Sequence, residues 1–298
     1  MKKGVVVAIC AAVVAVAVAG GWWWIARDRG SVADAPDAGD QPAKPLTEAQ
    51  RAERSERIKQ GIAHRRHLWR EASYIEIRQA ATDGDLVAQR RLSEVYEDCR
   101  ALDGALRSSL QMLSQLAKAD PASAPMVAAI QHEKARLCGQ AQADLAKNPG
   151  AADYWLHKSA KGGDLVSEMR YFGRTVPKFS LGQYRYFIDK TRQSGDPDAI
   201  FEMSLLLPKL DGPWPDPAQA PAFVGPAAEE AWIVAACRAG HDCGRGSRLM
   251  NLICLSAFSC SQPDYERHLV AFGGAAQSVK RRQLVALIQG SILGPTAK

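Results

Sequence analysis

The feature that most constrains this chain is a small residue followed by Asp, recurring at Gly84-Asp85, Ala119-Asp120-Pro121, Gly163-Asp164, Gly195-Asp196-Pro197 and Gly240-His241-Asp242. Gly takes the left-handed conformation that ends a helix. Asp accepts hydrogen bonds from the first free amides of the next helix. Pro121 and Pro197 then stand where the first helical residue is expected, a position at which no donor is lost. Each junction reads as the tight turn of a helical hairpin. Successive Asp residues are 35, 44, 32 and 46 positions apart, which are helix-pair repeat lengths. The expected fold is all-α: an N-terminal transmembrane helix, then an irregular solenoid of antiparallel helix pairs.

The flanks of these turns share a pattern. Trp155, Phe187 and Trp232 each stand eight residues before the Gly. Ala88, Leu92 and Tyr96 follow Gly84 at four-residue steps, and Ala199, Met203 and Leu207 follow Gly195 in the same way. Such steps keep side chains on one helix face. Small residues at the first step (Ala88, Ser167, Ala199) let two helices approach, and the larger ones fill the space between pairs. The pattern aromatic, Ala-Ala, Gly-Asp, Ala, Leu, Tyr resembles Sel1-like repeats, relatives of the tetratricopeptide repeat. Residues 71–96, 152–172, 187–207 and 229–250 carry it. Ser93 and Ser204 replace the family's Gly after Leu, residues 103–138 lack the turn Gly, and His241 is inserted in the last unit. The resemblance implies a non-catalytic adaptor of the kind found at the bacterial envelope or in secretion and signalling assemblies.

Ahead of the repeats the chain opens Met1-Lys2-Lys3 and runs uncharged from Gly4 to Ile25, closing with Trp22-Trp23-Trp24. As a helix this run reaches about 33 Å, enough for a hydrocarbon core of roughly 30 Å. Indole rings favour the membrane interface. Residues 1–29 are read as a retained membrane anchor. Ala17-Val18-Ala19 is an A-x-A site, so cleavage after Ala19 stays open. Residues 30–46, rich in Ala, Asp and Pro, are a linker composition, and residues 47–298 form the repeat domain. Flanking charge is nearly balanced, so orientation leans on the cysteines. After Cys10 come Cys99, Cys138, Cys237, Cys243, Cys254 and Cys260. An even number behind an export segment points to disulfides in an oxidising space. Of the 15 pairings possible, two six-residue pairs, Cys237–Cys243 and Cys254–Cys260, with Cys99–Cys138 as the long one, are expected. The expected location is the bacterial inner membrane, single-pass, with the C-terminal domain in the periplasm.

Thr47-Glu48-Ala49-Gln50 is a capping box. The segment after it carries Arg51, Arg54, Arg57, Lys59, Arg65, Arg66 and Arg70, interleaved with Glu53, Glu56 and Glu71. This reads as a solvated helix with i,i+3 and i,i+4 pairs, with a patch for anionic lipid as the alternative. A net charge of +6 is modest for 298 residues, and an exported domain is no nucleic-acid partner. Residues 208–226, with six prolines, Trp214 and Phe223, read as a long loop whose rings pack on the fold. Residues 275–293 read as a terminal cap, with Val279, Leu284, Leu287, Ile288 and Ile292 on one side.

Chemistry-bearing motifs are lacking. There is no phosphate loop, G-x-G-x-x-G, G-x-S-x-G or H-E-x-x-H. His132-Glu133 reads as surface, and His64 and His67 have no third ligand for a metal. No catalytic residue, cofactor or metal site is expected. The leading expectation is a membrane-tethered scaffold that engages an envelope protein or peptide, with the membrane itself contacted through residues 4–25. An envelope hydrolase with an unrecognised site and a purely structural spacer are the alternatives.

Overall fold

The computed structural model describes residues 47–100, 105–273 and 275–294; the hydrophobic run at 4–25 and the linker at 30–46 lie outside them. Among the described residues no helix is long and apolar enough to cross a membrane. They form thirteen α-helices: α1 (Glu48–Arg70), α2 (Tyr74–Thr82), α3 (Leu86–Arg100), α4 (Ala105–Ala119), α5 (Ala124–Lys147), α6 (Ala151–Gly162), α7 (Leu165–Thr175), α8 (Leu181–Ser194), α9 (Pro197–Leu206), α10 (Pro226–Ala239), α11 (Arg248–Ala257), α12 (Tyr265–Phe272) and α13 (Ala275–Leu287). A π-helical turn, Ile288–Ile292, extends α13. β pairing among the described residues is confined to two isolated bridges.

The turn chemistry is visible in the backbone. Gly84, Gly163, Gly195 and Gly240 have φ of 101°, 99°, 64° and 114°. Asp85 Oδ1 accepts from the amides of Val87 and Ala88 at 2.9 and 3.0 Å. Asp164 caps α7 through the Ser167 amide at 2.9 Å, and Asp196 caps α9 through the Asp198 amide at 2.9 Å. Two junctions differ from the sequence expectation. Pro121 is not the first helical residue: Asp120 closes a turn onto Ala122 N and Ser123 Oγ, and α5 starts at Ala124. Asp242 caps no helix, because α11 begins only at Arg248, where Ser247 is the cap.

The interior divides into two hydrophobic clusters. One joins the end of α1 with α2, α3, the second half of α5 and the start of α6, around Ile77, Leu92 and Val95. The other gathers α7 to α13 with parts of α4 and α5, around Met169, Tyr184, Met203 and Trp232. The Pro-rich loop belongs to the second cluster. Trp214 and Phe223 stack at 3.8 Å, and Trp232 Nε1 donates to the Ala222 carbonyl at 2.9 Å.

Three disulfides link Cys99 to Cys138, Cys237 to Cys243 and Cys254 to Cys260. The first ties α3 to α5; the second encloses the Gly240-His241-Asp242 turn. The end of the chain is less simple than a polar cap. Leu284, Val285, Ile288 and Ile292 are buried, but Val279 is 47% exposed. Arg281 is buried and donates to Glu230 Oε2 of α10 at 2.9 Å.

Candidate functional site

Around Leu92, the other faces of α3 carry Gln89, Arg90, Arg91, Ser93 and Glu94, and all five are buried. Burying charge is costly unless each group is paired, so the partners define the interior. Arg90 Nε lies 3.1 Å from Asp164 Oδ2, and its Nη1 donates to Asp198 Oδ2 at 3.0 Å. Arg170 of α7 binds Glu94 and Glu202. Arg91 donates to Glu133 at 2.8 Å, and Glu133 accepts from Asn251 Nδ2 at 2.7 Å. Arg248 grips Asp98 with two bonds of 3.0 and 3.2 Å. These links tie α3, in the first cluster, to α7, α9 and α11, in the second. The guanidinium carbons of Arg90 and Arg91 each lie 5.3 Å from the Trp69 ring centre, a cation–π geometry.

The carboxylates are tuned by this lattice. Burial opposes ionisation of Glu94, but Arg170, Arg248, Arg91 and Arg90 outweigh it and hold its pKa at about 2. For Asp198, burial is overcome by the hydrogen bond from His241 and by Arg90, so its pKa falls well below the usual range. Arg248 and Lys134 likewise overcome burial and lower Asp98. Glu202 goes the other way: burial outweighs Arg170 and raises it. Asp196 is raised by burial and by the neighbouring Asp198 charge.

A cavity of about 900 Å³ opens beside the lattice, between α1 and residues of α3, α7, α9, α10, α11 and the 240–248 turn. Its charged wall includes Arg90, Glu94, Arg170, Asp198, His241 and Arg248, already paired with one another or with neighbours. Its apolar wall includes Ile62, Trp69, Phe201, Leu205, Ile233 and Leu252. Leu205 and Leu252 are 52% and 46% exposed. His241 stacks on Phe201 at 4.3 Å, and its Nδ1 lies 2.7 Å from Asp198 Oδ1.

The junction aspartates have a second role that turn chemistry alone does not reveal. Asp85 Oδ2 lies 2.7 Å from His64 Nε2, Asp196 Oδ2 accepts from Arg65 Nη1 at 3.1 Å, and Asp242 receives Arg70 in two bonds of 2.6 and 2.8 Å. All three partners are on α1; Asp164 instead meets Arg90. Of the junction glycines, Gly240 lines the cavity beside Asp242, and Gly195 touches α1, while Gly84 and Gly163 face open space. Cys237–Cys243 lines the cavity; the other two disulfides do not.

Several sequence readings change accordingly. Helix α1 has the expected internal pairs, Arg57 with Glu53 and Lys59 with Glu56, but Arg54, Arg65 and Arg70 reach other elements. His64 and His67, read without carboxylate partners, lie 2.7 Å from Asp85 Oδ2 and 3.3 Å from Glu71 Oε2. Glu133 is not a surface residue but the link between Arg91 and Asn251.

The chain matches no known family model, no curated protein and no solved structure. The site therefore has to be read from its own chemistry.

Proposed function

We propose that this protein is a membrane-tethered, non-catalytic scaffold of degenerate Sel1-like helix pairs that binds a polypeptide segment in the cavity between α1 and the helix array. The carrying observation is the wall. Exposed Leu205 and Leu252, with half-buried Trp69, lie beside charges that already have protein partners. Such a surface rewards apolar side chains and tolerates a polar main chain. Its volume falls within the ~300–1,000 Å³ of ligand-sized sites. The three disulfides favour an oxidising compartment, which fits the periplasmic side of a bacterial inner membrane, with residues 4–25 as the anchor.

The test is a peptide-display screen against the full chain, followed by Leu205→Trp, which fills the cavity, and Val224→Trp, which adds the same ring at a site 67% exposed. Peptides should be selected, and Leu205→Trp alone should weaken them at least ~10-fold. Equal loss from both variants, or no selected sequence, would sink the reading.

An envelope hydrolase is the second reading, carried by His241 against Asp198 in the cavity wall. An imidazole fixed by a carboxylate can serve as a general base. Binding is preferred because the neighbouring nucleophiles are committed: Cys237 and Cys243 are bonded to each other, and Ser247 Oγ accepts from the Met250 amide at 3.2 Å.

A further inference from the structure

Helix α1 lies along the row of hairpin turns as a ligand would. At Gly195 a β-carbon would come within 2.7 Å of the Arg54 guanidinium and 3.0 Å of Ile58; at Gly240 it would come within 2.7 Å of Ile62. Two glycines thus form notches into which the helix settles. Between and beyond them stand the acids Asp85, Asp196 and Asp242, each matched to a basic residue of α1. Arg54 adds a bond to the Arg192 carbonyl.

The fastening is uneven. Leu68 and Trp69, at the C-terminal end, pack into the first hydrophobic cluster, and Arg136 donates to the carbonyls of Trp69 and Ala72. From Thr47 to His67, no residue belongs to either cluster. The N-terminal half leaves a gap of about 460 Å³ against Gln193, Ser194, Asp196 and Pro197. Yet the helix holds its own shape: Thr47 and Gln50 form a capping box, and Gln60 bonds Glu56 one turn away.

We propose that the glycine-notched acidic track is a docking surface for a basic amphipathic helix of a partner protein, and that α1 is its internal occupant. The inference rests on the polypeptide-binding reading and names the partner's chemistry. Such a helix presents Ile or Leu one turn apart to the notches and Arg or Lys to the aspartates. Charge complementarity selects it, and leaving α1 opens one wall of the cavity at the same time.

The probe is a fluorescein-labelled peptide of residues 47–70, titrated into the full chain. The wild type should bind it weakly, because the tethered helix competes at an effective concentration on the order of millimolar. The full chain carrying Arg54→Ala, Arg65→Ala and Arg70→Ala should bind it at least ~10-fold more tightly. Adding Asp196→Asn, which keeps the cap of α9, and Asp242→Asn should cancel the gain. A peptide with Glu at the three Arg positions should not bind. Equal binding by variant and wild type, or by both peptides, would overturn the proposal. A wild-type dimer that the peptide dissolves would also overturn it, giving the track to a second copy. Hydrogen exchange on the wild type needs no variant to fold: amides of residues 51–66 should exchange at least ~100-fold faster than those of α9 and α10, and equal protection refutes a removable α1. Should the Leu205→Trp test succeed and this one fail, the cavity reading stands and only the helix assignment falls.

Discussion

Helices α1 and α3 each carry two adjacent arginines, Arg65-Arg66 and Arg90-Arg91, and use them in opposite ways. On α3 both guanidinium groups are buried, with carboxylates from α5, α7 and α9 around them. On α1, Arg66 is exposed, while Arg65 pairs with Asp196 and Asp198 beneath the helix. Residue type does not decide between an architectural charge and a docking charge. The number of helices surrounding it does. A charge enclosed on every side cannot be released without cost, whereas an exposed one such as Arg66 exchanges readily with water.

The comparison can be broken at its strongest point first. Arg90→Ala leaves Asp164 and Asp198 without their buried partner, and removing one member of such a pair costs about 3–5 kcal/mol. Urea unfolding should show a loss of that size; a loss below about 1 kcal/mol would place Arg90 with the α1 arginines. Next comes the covalent tie of α3. Cys99→Ala with Cys138→Ala opens a link across 39 residues, worth about 4 kcal/mol by chain entropy, against about 2 kcal/mol for a six-residue link. Parallel melts of this pair and of Cys254→Ala with Cys260→Ala should rank them in that order.

Acid probes the same lattice without mutation. Glu94 has its pKa lowered to about 2 from 4.5, so its contribution is fully present above pH 4.5 and is lost as pH falls towards 2. The shift corresponds to about 3 kcal/mol. Asp98 and Asp198 act in the same direction. Glu202 and Asp196, with raised values, act oppositely and soften the decline. Stability measured by denaturant from pH 6 to 2 should therefore fall below pH 4.5 in the wild type, and fall less in Glu94→Gln. The smallest effect belongs to α1. Arg70→Ala removes a partly exposed pair with Asp242 and should cost no more than about 1 kcal/mol of global stability. It should nonetheless speed hydrogen exchange within α1, and added salt should reproduce that effect in the wild type.

What the sequence made legible was local. Glycine conformation and aspartate capping act within a few residues, so the turns at 84–85, 163–164 and 195–196 could be read directly. The six-residue cysteine spacings were short enough to suggest their own pairs. The buried lattice was not legible for a geometric reason. Arg90, Arg91 and Glu94 stand off the Ala88–Leu92–Tyr96 stripe, where an amphipathic helix normally meets water. Only the arrival of α5, α7, α9 and α11, up to 160 residues later in the Arg91–Asn251 neighbourhood of Glu133, closes that side. The second role of Asp85, Asp196 and Asp242 was hidden likewise, because a capping oxygen and an ion-pairing oxygen call for the same residue.

The uneven fastening of α1 has a mechanical meaning. The chain that leads toward residues 4–25 joins the helix at Thr47, its loose end, while Leu68 and Trp69 hold the other. A pull through that chain directed away from the track would load Arg54 first, then Ile58, Ile62, Arg65 and Arg70 in turn. Contacts broken one after another yield at far smaller force than the same contacts strained together in shear. Were residues 4–25 held in a membrane as proposed, tension directed away from the track would peel the helix from it, and slack would let it settle again.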